Sequence, residues 1–296
     1  MRSATDAASH AGGDAAGGGG SGAGGGGRPA ASRSATNARW VWRQAWPVLL
    51  TLGVILVIWA IVSATGAVST SSLPSPATVW STFWRLVRDG TIPTATAKTL
   101  LRLVVAFGIA LVVGTLLGIG LSASSFARRS IGALVVGLRA VPPIAWLPLA
   151  AVWFGLNEKA VVFVAIVGGF PSVTLATSSS LRQVPPLLHR AGQTLGARGW
   201  TLYRSIVFPA AIPGYVSGIQ LAWGYCWWSL LAGELITHGA KAIGLGQELV
   251  RSQRHDQAAE VIAILLVIIA IGMLVDLLIF GLIDRRLRVR RGLTLR

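Results

Sequence analysis

The chain has 296 residues, 53% hydrophobic and only 12% charged, about half the charged share (~25%) of an ordinary soluble domain. That shortage points to lipid around most of the chain, so the formal charge of +16 reads as membrane topology rather than as a nucleic-acid surface. One cysteine, Cys226, excludes an intrachain disulfide and a thiolate cluster, and the four histidines have no metal-ligand spacing, so no metal and no cofactor are expected.

Residues 1–38 hold eleven glycines between Gly12 and Gly27. That composition buries no apolar surface and predicts a disordered tail; it has no apolar core of a signal peptide. Arg39, Arg43, Trp40, Trp42 and Trp46 then read as an interfacial anchor. Six apolar runs follow, 46–65, 99–121, 132–154, 160–180, 211–236 and 258–283, each near the ~20 residues a spanning helix needs. They are continuous rather than alternating, unlike the strands of a membrane barrel. The expected division is a tail over 1–38, a first transmembrane helix over 39–66, a core with five further helices over 67–284, and a basic tail over 285–296. With the N-terminus inside, the inner segments 1–45, 122–131, 181–210 and 284–296 hold 17 Lys and Arg, against 7 in the outer segments. The positive-inside rule therefore puts both termini in the cytoplasm of a multi-pass membrane protein.

Between the first two runs, Leu73-Pro74-Ser75-Pro76 marks an extended turn. Residues 78–88 place Val79, Phe83, Leu86 and Val87 at helical spacing, opposite Arg85 and Arg88, as in a short helix lying on the outer surface. Gly114 with Gly118, and Gly214 with Gly218, suit close helix packing within the chain. The third run opens with Arg139, Pro142, Pro143, Trp146 and Pro148. Its freed carbonyls are tolerable at membrane depth only against protein or a water-filled path, which makes these five residues pathway candidates. Pro171 after Gly168-Gly169-Phe170 predicts a second break. Among ionisable residues inside the runs, Glu234 joins the pathway candidates, and Asp276 is expected to pair with a neighbouring helix.

No motor is present. The three lysines, Lys98, Lys159 and Lys241, follow Ala97, Glu158 and Ala240, so there is no Gly-Lys phosphate loop. Gly244-Leu245-Gly246 follows no strand and reads as a tight turn opening a helix. No Ser/His/Asp set or carboxylate pair has catalytic spacing, so the chain is not expected to be an enzyme. The segment 187–218 is different: a basic, polar stretch between two long apolar runs, with no use inside a bilayer. Ala191, Gly192, Gly196 and Ala197 keep it small enough for a partner's groove, and Pro185, Pro186, Pro209 and Pro213 are expected as rigid corners.

Arg190-Ala191-Gly192, Gly196 and Ile206-Val207-Phe208-Pro209 resemble the EAA loop of ABC-importer permeases. Leu73-Pro74-Ser75-Pro76, the block from Pro142 to Leu149 with Trp153-Phe154-Gly155, and Gly233-Glu234 with Gly244-Leu245-Gly246 are similar to elements of the sulfonate, taurine and nitrate type. The resemblance covers about residues 70–290. It implies an all-α fold of six membrane helices and a coupling loop using Arg190, Ala191, Gly192, Gly196, Ile206 and Pro209. It also implies a permease homodimer, two separate ABC ATPase subunits and an extracytoplasmic solute-binding protein. The implied cargo is a small organic or inorganic anion, with another small solute such as a vitamin precursor as the alternative. An ion-coupled carrier would instead show inverted repeats and polar mid-span residues, of which there is little here. The chain departs from the pattern at Arg190, where the family carries Glu, and at Gly192, where it carries Ala.

Overall fold

The computed structural model describes residues 33–66, 69, 71–237 and 243–290, all of it helix, turn or loop. Most of the glycine tail, the last six residues, and the side chains of Arg39, Trp40, Trp42 and Arg43 lie outside the described residues. Two units divide the chain, Met1–Ile55 and Leu56–Arg296. The first contributes the leading part of α1 (Arg33–Ala64); the second contains all the contacts described below.

Among the described residues, four stretches are long and apolar enough to cross a membrane: Thr91–Ala123, Glu158–Arg182, Gly199–Ile236 and Ala258–Ile283. The expected third span, 132–154, is instead two helices. α4 (Ser125–Ala140) is followed by a 3₁₀ turn (Pro143–Trp146) and α5 (Leu147–Phe154), and the pair is bent by 101°. Counted as one broken span it makes five. Of the expected first span, Leu50–Ala64 is a shorter apolar stretch of α1.

Local chemistry explains several boundaries. Before α2 (Pro76–Arg88), the Ser75 hydroxyl accepts from the Thr78 N–H at 3.2 Å and Pro76 occupies the first turn, an N-cap followed by a proline that needs no donor there. α2 buries Val79, Thr82 and Leu86, while exposed Arg85 pairs with Glu260 at 2.7 Å. The Pro74 carbonyl accepts from the Trp59 indole at 3.1 Å, which ties the turn to the end of α1. α3 (Thr91–Ala123) starts well before residue 99. α6 (Glu158–Arg182) runs straight through Pro171, so the second expected break does not occur. One proline deletes one backbone bond, and α6 makes up for it by packing on both sides.

The core is the trio α3, α6 and α9 (Phe208–Ile236). α6 runs parallel to α3 and antiparallel to α9, as the glycine contacts fix. A Cβ at Gly114 would lie 2.6 Å from Val173 Cβ, and one at Gly118 2.5 Å from Thr177 Cβ. Toward α9, a Cβ at Gly214 would meet Ser180 Oγ at 2.6 Å, and one at Gly218 would collide with Ala176. Both small-residue pairs therefore serve packing within the chain. α11 (Ala258–Leu274) lies on α2, and a π-helical turn (Val275–Phe280) and α12 (Gly281–Arg290) follow it. Asp276 stands exposed in that π turn with no ion-pair partner among the described residues, against the expected pairing: the turn leaves it on the outside of its helix.

Candidate functional site

The trio has two ends, and they differ in kind. At the end where α3 and α6 begin and α9 finishes, a polar cluster is sealed inside. Glu234 has no exposed surface and Arg102 only 5%. Arg102 Nη1 lies 2.7 Å from Glu234 Oε1, and its Nη2 lies 2.6 Å from Glu158. The Thr99 hydroxyl sits 3.0 Å from both Glu234 oxygens and accepts from the Leu245 N–H at 2.9 Å. The Gly246 N–H donates to Glu234 Oε2 at 3.0 Å. Two side chains of α3 and the Gly246 N–H thus meet on one carboxylate, which is how a buried charge is tolerated.

This cluster also explains Gly244 and Gly246, with a different cause from the expected turn. Gly244 is extended (φ −177) at the head of α10 (Leu245–Arg254), a conformation open to any residue. A Cβ there would instead lie 2.5 Å from Glu234 Oε1 and 2.7 Å from Arg102 Nη1. One at Gly246 would lie 2.8 Å from Glu234 Cβ. The glycines make room for the ion pair. Glu234, proposed from sequence as a pathway residue, is therefore held inside a closed cluster. Its partner Arg102 was not singled out.

At the other end lies the segment resembling the EAA loop. α7 (Pro186–Thr194) is followed by a reversal, α8 (Gly199–Leu202) and a π-helical turn (Tyr203–Val207) that runs into α9. The reversal is closed by the Gly196 N–H to the Gln193 carbonyl at 3.0 Å and the Ala197 N–H to the Gly192 carbonyl at 3.0 Å. Gly196 has φ +85. Together these form a helix-terminating Schellman motif, whose left-handed position favours glycine. Gly192 is buried; a Cβ on it would strike the tip of Ile206 and lie 2.6 Å from Leu202 Cδ1. Its smallness serves the loop's own packing rather than a partner's groove.

Pro209 and Pro213 do not make corners. Pro209 lies in the first turn of α9 and Pro213 inside it. The π turn upstream carries the wider bond from the Phe208 N–H to the Tyr203 carbonyl, which keeps the chain helical up to Pro209. The loop is fixed to the trio through Leu181, Val184, Leu202, Val207 and Ala211, with Ile119, Ala197 and Ile206 packed against them. Its other face is open: Leu187 is 75% exposed, Leu195 85% and Trp200 69%, with Arg190 and Ala191 also exposed.

Between the ends, Arg139, Pro142 and Pro143 line a cavity of about 390 Å³ together with Gly168, Tyr225 and Trp228. Val167, whose carbonyl loses its usual donor at Pro171, lines it too. Of the other sequence candidates, Trp146 packs beside Leu147, Ala150, Ala160 and Val164, and Pro148 is exposed. A second cavity of about 730 Å³ opens among α4, α6 and α9, and Arg139 and Tyr225 line both.

The protein family described as the inner membrane component of binding-protein-dependent transport systems matches residues 110–289. The chain is 30% identical over 241 residues to the taurine transport system permease protein TauC of Escherichia coli K12, covering 79% of this chain and 86% of the relative. It is 27% identical over 236 residues to the nitrate import permease protein NrtB of a Synechocystis strain, covering 77% and 84%. Its fold is similar to that in a structure of the MetNI methionine ABC transporter, with a TM-score of 0.58 at 22% identity, covering 69% of this chain and 96% of that one.

Proposed function

This chain belongs to the family of binding-protein-dependent transport inner membrane components, a multi-pass membrane permease component rather than an enzyme, and from that premise we propose the following assembly. Two copies form the pore of an ATP-driven importer for a small anion such as a sulfonate, taurine or nitrate. Two ATPase subunits dock on the α7–α8 loop, and a solute-binding protein delivers cargo to the opposite face. The loop end and both chain termini face the cytoplasm, and the sealed Glu234 end faces outward.

One observation carries this reading. The loop exposes Leu187, Leu195 and Trp200 while its inner side is built into α3, α6 and α9. Exposed large apolar side chains beside basic residues mark a protein-docking surface. A rigid, locally packed mount is what transmits a push from a motor to the helices. Arg190, Ala191 and Gly196 sit at that surface; Gly192, Ile206 and Pro209 hold its shape. Arg139, Pro142 and Pro143 are the pathway residues of this reading.

The test is uptake into proteoliposomes containing the permease, its ATPase and its binding protein. Uptake of a labelled sulfonate or nitrate should require both ATP and the binding protein. Uptake driven by an ion gradient without ATP would sink the proposal.

A further inference from the structure

We propose that the cavity of about 730 Å³ among α4, α6 and α9 is an anion-binding site of the permease itself, taking a small oxyanion between Arg139 and the hydroxyl of Ser172. The inference rests on the transport reading above for its place on the pathway, and on the following geometry for its chemistry.

The cavity lining carries three cations, Arg128, Arg139 and Arg182, and no Asp or Glu. None of the three makes an ion pair among the described residues. Ser172 also lines the cavity. It is 6% exposed, and its Oγ has no hydrogen-bond partner. Other hydroxyls on α6 bond back to the helix: Thr174 to the Phe170 carbonyl at 2.9 Å and Thr177 to the Val173 carbonyl at 2.7 Å. Ser172 does not. A buried hydroxyl without a partner costs about 1–3 kcal/mol and asks for a reason; an acceptor arriving from the cavity supplies one.

Position strengthens the case. The part of α6 from Ser172 to Arg182 that lines the cavity rises about 15 Å, so the cavity reaches from mid-helix to the loop end. Arg139 borders this cavity and the one beside Pro142 and Pro143. It lies in the last turn of α4, where the helix dipole favours a cation. A sulfonate or nitrate presents oxygens that accept two parallel N–H bonds from a guanidinium fork and one O–H from a serine. A cation meets only like charge among these three arginines. The phosphate of an anionic lipid headgroup has the same chemistry, so the test separates the two sources.

The full-length permease is reconstituted in nanodiscs of phosphatidylcholine, and thermal unfolding is followed with sodium ethanesulfonate against sodium chloride at equal ionic strength. Ethanesulfonate should stabilise saturably. Ser172→Ala should weaken its apparent affinity about three- to tenfold while leaving the ligand-free melting point equal or higher, because an unsatisfied hydroxyl has gone. Arg139→Gln should weaken it about tenfold or more. The same pattern in discs containing phosphatidylglycerol supports a solute site. Loss of the ethanesulfonate effect there, with stabilisation by the lipid that Arg139→Gln removes, would assign the cavity to headgroups and overturn the proposal. So would ethanesulfonate no better than chloride, or variants that bind like wild type. ATPase co-purification is scored separately. If it fails while ethanesulfonate binds, the transport reading falls and the site stands; the reverse removes the site alone.

Discussion

The two ends of the α3, α6 and α9 trio solve opposite problems. At the Glu234 end a buried ion pair is closed off: Arg102 bridges buried Glu234 and exposed Glu158, Thr99 and the Gly246 N–H bond to Glu234, and the glycines heading α10 make room for them. At the loop end apolar side chains are turned outward, with Leu195 at 85% exposed. The sealed end holds four segments together without help. The open end is packed through its inner side yet keeps an exposed apolar face. A permease of the proposed kind needs this asymmetry, because one end must hold the helices in register and the other must receive force.

The largest effect is expected from breaking the sealed end. Glu234→Ala leaves Arg102 buried with Glu158 as its one remaining carboxylate, and removing one partner of a buried pair costs about 3–5 kcal/mol. The melting temperature of the purified permease should fall steeply and its yield with it. A stability within about 0.5 kcal/mol of wild type would mean that the cluster is not what holds this end.

Next comes Trp200→Ala at the open end. Trp200 is 69% exposed and touches Phe208 edge-on at a ring distance of 6.0 Å, so the permease itself should lose no more than about 1 kcal/mol. Binding of the ATPase should weaken by about 2 kcal/mol or more, since tryptophans are frequent anchors at interfaces. Unchanged ATPase affinity by surface plasmon resonance would place the docking face elsewhere.

Gly196 sharpens the same end, with a smaller effect. Its φ of +85 makes a Cβ costly whatever the space, and a Cβ would meet nothing within 4 Å in this chain. Gly196→Ala should therefore cost about 1–2 kcal/mol of local order and reduce ATPase association. Gly196→Asn should recover much of it, because Asn visits the left-handed region. If Asn is as harmful as Ala or worse in co-purification, the position acts by steric obstruction of the partner instead.

The parts legible in sequence were those with a period or a local cap. The apolar runs, the amphipathic α2 behind Ser75 and Pro76, and the loop between apolar runs all announce themselves within a dozen residues. Pairing across helices does not. Arg102 and Glu234 lie on different helices, and nothing nearby in the sequence says that they meet. Gly244 and Gly246 look like turn glycines for the same reason: the atoms that require them belong to another segment. Proline was ambiguous too. Pro171 and Pro213 each remove one donor and stay within continuous helices. Pro142 and Pro143 together force Val141 and Pro142 to extended ψ values of 124 and 130, and there the chain turns by 101°.

The smallest effect, and the finest probe of the open end, belongs to Arg190. It is exposed and stands where the family pattern resembled by this loop carries Glu. A charge at such a rim changes pairing by about 0.2–1 kcal/mol, too little to alter the permease's stability but enough to bias its choice of partner. If the cognate ATPase presents a carboxylate to Arg190, Arg190→Glu sets two like charges together, and uptake with that ATPase should fall by about two- to fivefold. The same substitution should improve pairing with an ATPase whose own permease carries Glu at this position. Raising the salt concentration should shrink both differences, because exposed charges are screened. Wild type and Arg190→Glu working equally with both ATPases at low salt would show that position 190 carries no pairing information, and would leave the apolar residues Leu187, Leu195 and Trp200 to define the docking face alone.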